Sequence, residues 1–160
     1  HGITPYGTEA MHVLRAEKGF IIIGQETDGS VTPHDLGMDW IISKSKPDFI
    51  GKRALARESM GNDNRKQLVG LLCNDSKTVI PEGAHAVFDA EQPLPMDILG
   101  QVTSSYFSPN LNRSIAMALL KGGHGLMGQT VYFPMLDGTV LNAKVVEPVF
   151  YDPKGVRIDG

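Results

Sequence analysis

The sequence has 160 residues, 41% of them hydrophobic and 21% charged, which is typical of a globular chain that forms one domain or a small domain with an added segment. Its net charge of −3 argues against a nucleic-acid surface, and no apolar run approaches the roughly 18 residues of a membrane span. Cys73 is the single cysteine and lies in an apolar run, which excludes an internal disulfide and predicts a buried, unreactive thiol. The lack of cysteine pairs and of a signal-peptide pattern favours a cytoplasmic protein.

The first third of the chain has mixed helical and strand patterns. Residues 8–18 are predicted to form a helix, because Thr8 can cap its start and Gly19 can end it. The apolar run 20–23 predicts a buried strand, and residues 47–60 predict a second helix. These elements cannot bury their apolar faces alone, and the chain does not begin with methionine. We therefore expect residues 1–61 to be the C-terminal part of a larger α+β layer.

Beyond residue 65 the pattern changes to short strands separated by turns. The predicted strands are 66–73, 84–89, 98–106, 114–120, 129–134 and 139–147. Short strands without helical patterns between them predict a small antiparallel barrel or sandwich. We therefore predict a boundary within residues 61–65, a β-domain over residues 65–152 and a tail over residues 153–160.

Few residues have the spacing that catalysis or metal binding requires. The five histidines lack ligand spacing, and Ser104 lacks the glycine-flanked turn of a hydrolase nucleophile, so neither a metal site nor a catalytic residue is predicted. Asp35 and Asp39 flank Gly37 close to Trp40, where they could seat a polar heterocycle. The favoured interpretation of these residues is a capped, partly buried loop.

Several motifs occur in the order and spacing of a known family. They are residues 14–19 (LRAEKG), 32–40 (TPHDLGMDW), 51–55 (GKRAL), 68–71 (LVGL) and 100–109 (GQVTSSYFSP). Together they resemble the glycine-cleavage aminomethyltransferase superfamily of folate-binding proteins. Residues 6–10 (YGTEA) and 147–153 (EPVFYDP) resemble, more narrowly, the C-terminal region of the alpha subunits of heterotetrameric sarcosine oxidases.

The resemblance implies a fold and a reaction. The fold is the tail of an α+β folate-binding layer followed by a small antiparallel β-barrel. In sarcosine oxidases of this type a flavin oxidises the amine, and the one-carbon unit passes to tetrahydrofolate, giving 5,10-methylenetetrahydrofolate. Tetrahydrofolate is therefore the implied ligand, whereas FAD, FMN and NAD are expected in other parts of the complex. The implied partners are the upstream part of the same subunit and the other subunits.

The resemblance also implies candidate folate-binding residues, each of which has a structural alternative. Trp40 is a cavity wall or a core residue, and Arg15 and Glu17 are pocket contacts or a buried ion pair at the helix end. Tyr151 is a cavity rim or an edge-strand aromatic, and Tyr6 is a pocket contact or a helix-entry contact.

Two positions depart from the family pattern. Met11 and Leu68 stand where aminomethyltransferases have arginines, and the glutamate and aspartate that the family uses on the ligand are expected upstream of this chain. Three functions stay open: a folate-binding part of a sarcosine oxidase, a structural or subunit-interface barrel, and another superfamily member such as an aminomethyltransferase or a dimethylglycine oxidase.

Overall fold

The computed structural model describes residues 1–62 and 64–157, in which a largely irregular segment precedes a β-domain. The α-helices of this part of the chain are α1 (Thr8–Glu17) and α2 (Lys52–Leu55), and short 3-10 helices cover His34–Leu36, Asp39–Ile41 and Gly123–Leu126. Its strands are β1 (Lys66–Cys73), β2 (His85–Ala86), β3 (Gly100–Ser108), β4 (Arg113–Lys121), β5 (Thr130–Pro134) and β6 (Val140–Val146). None of these helices has the length and apolar character that crossing a membrane requires.

The strands form one antiparallel sheet in the order β2-β3-β4-β1-β6-β5. The sheet closes on itself, because Val87 after β2 and Tyr132 in β5 exchange two backbone hydrogen bonds of 2.9 Å. Closure leaves no long strand edge open to pairing with another chain. The predicted α+β class with a small antiparallel β-barrel is therefore confirmed.

Side chains on β4 alternate between two apolar clusters. Ala116, Ala118 and Leu120 point into the barrel, whereas Ile115 and Met117 point outward. The outward cluster is covered by α1 and the residues around it, so the central strand is buried on both faces. A strand covered on both faces is uniformly apolar, which is why the run 115–120 lacks the polar alternation of a half-exposed strand.

The chain after β6 holds the N-terminal segment, residues 1–62, against the barrel. It crosses the outer face of β1 at Gly70, where a β-carbon would lie 2.5 Å from the Glu147 carbonyl oxygen. The backbone N–H groups of Phe150 and Tyr151 then donate to the Glu17 carbonyl oxygen at the end of α1, at 2.9 and 2.8 Å. The C-terminal segment thus links α1 to the sheet.

The prediction of a strand at residues 20–23 is wrong. Ile23 makes only an isolated bridge to Thr27, and the Ile22 backbone N–H donates to the Glu26 carboxylate at 2.7 Å instead of to a neighbouring strand. Four apolar residues in a row indicated burial, but Phe20 and Ile23 are exposed. A short apolar run alone does not distinguish a strand from a loop that crosses a surface.

The helix predicted over residues 47–60 is reduced to the four residues of α2, followed by turns. Ile50 is fully exposed, and no residue of α2 is buried, so the segment has no apolar face to pack. A short helix without packing is marginal in water. The boundary within residues 61–65 stays a prediction, and Asp63 and residues 158–160 of the predicted tail lie outside the described residues.

Cys73 lies at the end of β1 and is buried, as predicted. Burial raises the pKa of its thiol, which disfavours the thiolate and with it nucleophilic reactivity.

The close packing of β3 on β4 is testable at Gly100. We expect Gly100→Ala to lower the free energy of unfolding by about 1–3 kcal/mol, because a β-carbon there would overlap the Leu119 carbonyl oxygen. Chemical denaturation measures this loss. Gly125→Ala is the matched control, since nothing lies within 4 Å of its added carbon. Equal stability of the two variants would contradict the packing described.

Candidate functional site

A cavity of about 440 Å³ lies between the N-terminal segment and the barrel. Its lining residues are 18–21, 36–38, Trp40, Leu68, His124 and 147–149. The lining is mostly apolar, and its ionisable side chains are Lys18, His124 and Glu147. This volume and composition suit a small organic ligand held by apolar contact and a few polar groups.

The chemistry available in this cavity is binding. Its lining offers no hydroxyl or thiol nucleophile beside a base, as covalent catalysis requires. Across residues 1–62 and 64–157, no three His, Cys, Asp or Glu side chains converge as metal ligands would. The cavity can therefore orient a ligand and shield it from water.

Trp40 and Phe20 provide the large aromatic side chains of this cavity. Trp40 lies in the 3-10 helix Asp39–Ile41, and 77% of its surface is exposed. Trp40 is therefore not buried among the residues that the structure describes, and its contact with a ligand stays a prediction. Its free indole face is suited to stacking on a planar heterocycle.

The loop that carries Trp40 is fixed by Asp35. The Asp35 carboxylate accepts hydrogen bonds of 2.8 Å from the Thr32 backbone N–H and hydroxyl, and of 2.7–3.1 Å from the Arg65 guanidinium. Burial alone would raise the pKa of Asp35, but these hydrogen bonds outweigh it and lower that pKa. The imidazole of His34 also contacts Asp39. The loop is partly buried, as predicted, since Asp35 is buried and the Asp39 side chain is largely exposed, but neither of its 3-10 helices has a side-chain cap.

Arg15 is buried in a closed network that joins the N-terminal segment to the barrel. One guanidinium nitrogen donates to Glu26 at 3.1 Å, and the other donates to the Ser104 hydroxyl at 2.6 Å. The Ser104 hydroxyl in turn donates to Glu26 at 2.5 Å. The ring of Tyr106 lies 5.8 Å from the guanidinium carbon. A buried ion pair satisfied in this way is a structural interaction.

A β-bulge brings Ser104 into this network. Val102 pairs with Ala118 and points into the barrel, whereas Ser104 pairs with Met117 and points outward. Residues two apart on a regular strand share a face, so the extra residue Thr103 is what turns Ser104 toward α1. The Thr103 hydroxyl stays bonded to the Met117 carbonyl oxygen at 3.1 Å.

Glu17 is also fully engaged within the protein. Its carboxylate accepts from the Ser108 hydroxyl at 2.5 Å and from the Asn110 amide at 2.8 Å. Neither Glu17 nor Arg15 lines the cavity. The polar atoms of both residues hold the end of α1 on the barrel, and their contact with a ligand stays a prediction.

Tyr6 and Tyr151 lie away from the cavity lining as well. Tyr6 is largely exposed ahead of α1. Tyr151 lies in a bend rather than in an edge strand, with the Arg157 guanidinium carbon 5.4 Å from its ring centre. Of the five predicted folate-binding residues, the structure therefore places Trp40 alone on the cavity, and the roles of the other four stay predictions.

With this geometry described, the chain can be compared with known proteins. Residues 66–152 match the glycine cleavage T-protein C-terminal barrel domain, and residues 1–46 match the GCVT N-terminal domain. The chain belongs to the glycine cleavage T-protein family.

Two relatives and one solved structure define its place in this family. The chain is 49% identical to sarcosine oxidase subunit alpha of Corynebacterium sp. strain U-96 over 99% of its own length and 16% of that subunit. It is 36% identical to an aminomethyltransferase of Cupriavidus taiwanensis, over 93% of its length and 36% of the relative. Its fold matches the aminomethyltransferase T of Bartonella henselae with a TM-score of 0.76 at 26% identity, covering 90% of this chain and 38% of that one. The chain thus spans a small part of each relative.

Four residues of the network and the cavity could not be predicted from the sequence, because contacts between distant parts of the chain bring them into place. Nothing in the sequence around Glu26 indicates a contact with Arg15. In the structure Glu26 is the buried ion-pair partner of Arg15. Ser104 belongs to a family motif, but its orientation depends on the bulge. Glu147 begins the motif of residues 147–153, but no local signal brings it beside His124, because the two follow different strands, β6 and β4.

The buried network predicts a large cost for removing Glu26. Glu26→Ala leaves the Arg15 charge buried and unpaired, so we expect a loss of about 3–5 kcal/mol in the free energy of unfolding. Asp97→Ala is the control, because its contact with Lys121 is 3.5 Å long and exposed, and it should cost less than about 1 kcal/mol. Urea denaturation compares the free energies of unfolding of the two variants.

Should Glu26→Ala prevent folding, Ser104→Ala provides the milder test, with an expected loss of about 1–3 kcal/mol in the free energy of unfolding. Losses no larger than that of the control would contradict a structural role for the network.

Proposed function

We propose that this chain forms one wall of a tetrahydrofolate-binding site in a longer subunit of the sarcosine oxidase alpha type. The observation that carries the proposal is the exposed Trp40 indole on an apolar cavity of about 440 Å³. The 49% identity to a sarcosine oxidase subunit alpha over nearly the whole chain supports the choice of enzyme.

In this proposal the chain positions its ligand. The pterin ring of tetrahydrofolate stacks on Trp40, while Leu36 and Leu68 form apolar walls that exclude water. When bound, tetrahydrofolate would supply the two nitrogens, N5 and N10, that bind the one-carbon unit of the imine or of formaldehyde, with release of the amine or of water, giving 5,10-methylenetetrahydrofolate. A pterin ring that is held in place reacts with the one-carbon unit as if the two were parts of one molecule. This favours the reaction over the escape of formaldehyde.

The polar edge of the ligand is assigned to His124 and Glu147. The ammonium group of Lys18 already donates to the Asp152 carbonyl oxygen at 2.6 Å. In the part of the chain that the structure describes, the side chains of His124 and Glu147 have no hydrogen-bond partner, although both line the cavity. A mostly apolar site with two such groups can fix the orientation of a heterocycle.

The site is incomplete without further polypeptide in this proposal. Large apolar side chains are exposed along the N-terminal segment, at Ile3, Tyr6, Met11, Leu14 and Phe20. An exposed apolar surface of this kind marks a contact with another protein surface. We assign its cover to the upstream part of the same subunit, and we expect FAD, FMN and NAD to bind in other parts of a cytoplasmic, multi-subunit enzyme.

A structural role is the second candidate function. It is favoured by the engagement of both terminal guanidinium nitrogens of Arg15 and both carboxylate oxygens of Glu17 within or near the interface with the barrel. In that case the barrel supports the folate layer and contacts other subunits without a ligand of its own. An aminomethyltransferase or a dimethylglycine oxidase is the alternative within the family, and Met11 and Leu68 in place of arginines argue against the former.

Replacing Trp40 in the longer protein tests the folate proposal. We expect Trp40→Ala to weaken tetrahydrofolate binding by about 1–3 kcal/mol, the range for stacking of a heterocyclic base on an aromatic side chain. Trp40→Phe should retain most of the affinity, and Ile50→Ala is a control at an exposed residue outside the cavity. Calorimetric titration measures the affinity. Unchanged binding by a folded Trp40→Ala variant would show that tetrahydrofolate does not bind in this cavity, and it would favour the structural role.

A further inference from the structure

A second opening lies on the barrel itself, at the seam where its sheet closes. Val87 and Tyr132 form an isolated bridge between the two edge strands. Beyond this bridge, residues 83–85 and 134–136 line opposite sides of a groove of about 750 Å³. Pro134 has no backbone N–H, so it cannot donate a hydrogen bond across the seam. We call this opening the seam groove; it runs between residues 79–85 and 134–141.

The seam groove presents apolar side chains to solvent. Leu136 is fully exposed at the tip of the β5–β6 hairpin, and Val79 is 40% exposed on the opposite side. Met135 and Leu141 line the groove and also pack against the barrel core, so the groove reaches the end of that core. Single exposed leucines are ordinary, but apolar residues gathered along one groove mark a binding surface.

The ionisable side chains of the seam groove are two carboxylates and the imidazole of His85. Glu82 and Asp137 are the carboxylates, and the lining includes no lysine or arginine. Hydrogen bonds from the side chain and backbone of Thr139 lower the pKa of Asp137, so this group is ionised at neutral pH. An apolar groove with two carboxylates complements a partner that is apolar and basic.

We propose that the seam groove binds an extended segment of another subunit, in which apolar side chains are flanked by lysine or arginine. The inference rests on the proposed function, which assigns the chain to a multi-subunit enzyme. The segment is extended because the groove runs between residues 79–85 and 134–141, where successive side chains of an extended chain can meet its apolar and its acidic residues in turn. Its apolar side chains cover Leu136 and Val79, and its basic groups meet Glu82 and Asp137.

Assembly of the full-length subunit with its partner subunits tests this proposal. We expect Leu136→Asp to raise the dissociation constant of the complex at least about tenfold, as replacement of a central interface anchor does. Leu94→Asp is the matched control, because Leu94 lies on the same barrel, is 84% exposed and does not line the groove. Sedimentation velocity measures both constants, and thermal unfolding checks that both variants are folded. Wild-type assembly of Leu136→Asp, or equal loss in both variants, would overturn the proposal.

A photo-cross-linker at position 136 identifies the occupant without requiring a destabilising change. A benzoylphenylalanine at this position, in the full-length subunit co-expressed with its partners, is expected to cross-link to a stretch of another subunit with apolar residues beside lysine or arginine. Cross-linking to a second copy of this chain, to its own upstream part, or to nothing would overturn the proposal. Asp137→Lys should weaken assembly and reduce its salt dependence, because the attraction of a basic partner is lost.

These measurements separate the seam groove from the folate proposal. Leu136 does not line the cavity that carries Trp40, so Leu136→Asp should leave the affinity for tetrahydrofolate unchanged. Absence of folate binding in the wild-type protein, together with a mapped cross-link to a partner subunit, would contradict the folate site alone. Normal folate binding without the cross-link would contradict the groove alone.

Discussion

The buried contact of Arg15 with Glu26 and Ser104 fixes how the N-terminal segment lies on the barrel. Both charged groups are shielded from water, and the Ser104 hydroxyl of β3 bonds to each of them. Separating the N-terminal segment from β3 would break both hydrogen bonds to the Ser104 hydroxyl. A small number of polar atoms thereby gives a unique position to a segment that has little regular secondary structure of its own.

The cavity follows from that position. Because the end of α1 is held, residues 18–21 run along one side of the cavity, and the segment after β6 closes the other side through its bonds to the Glu17 carbonyl oxygen. Arg15, Glu17 and Glu26 bond to other groups of the protein and do not line the cavity, whose lining is mostly apolar. Such a surface suits stacking and exclusion of water, and the groups that perform chemistry must then come from the ligand or from other polypeptide.

Sequence patterns predicted the barrel well because its signals are local. The six predicted strands overlap the six observed, since apolar runs and turn residues mark each one. The strand predicted at residues 20–23 is wrong, because the Glu26 carboxylate, and not a neighbouring strand, accepts from the Ile22 backbone N–H. The helix predicted over residues 47–60 is shortened to α2, because Ile50 is exposed and no residue of α2 is buried. Family motifs indicated the importance of Arg15, Trp40 and Ser104. They did not show that a bulge at Thr103 turns Ser104 to the outer face, because register is a property of two strands together.

In the proposed function, this chain supplies one wall of a folate cavity and further polypeptide supplies the rest. The direct test is calorimetric titration of tetrahydrofolate into the 160-residue chain and into the same chain joined to its upstream polypeptide. The account predicts saturable binding by the longer protein and weak or undetectable binding by the shorter one. Equal affinity of the two, or no binding by the longer protein, would contradict it.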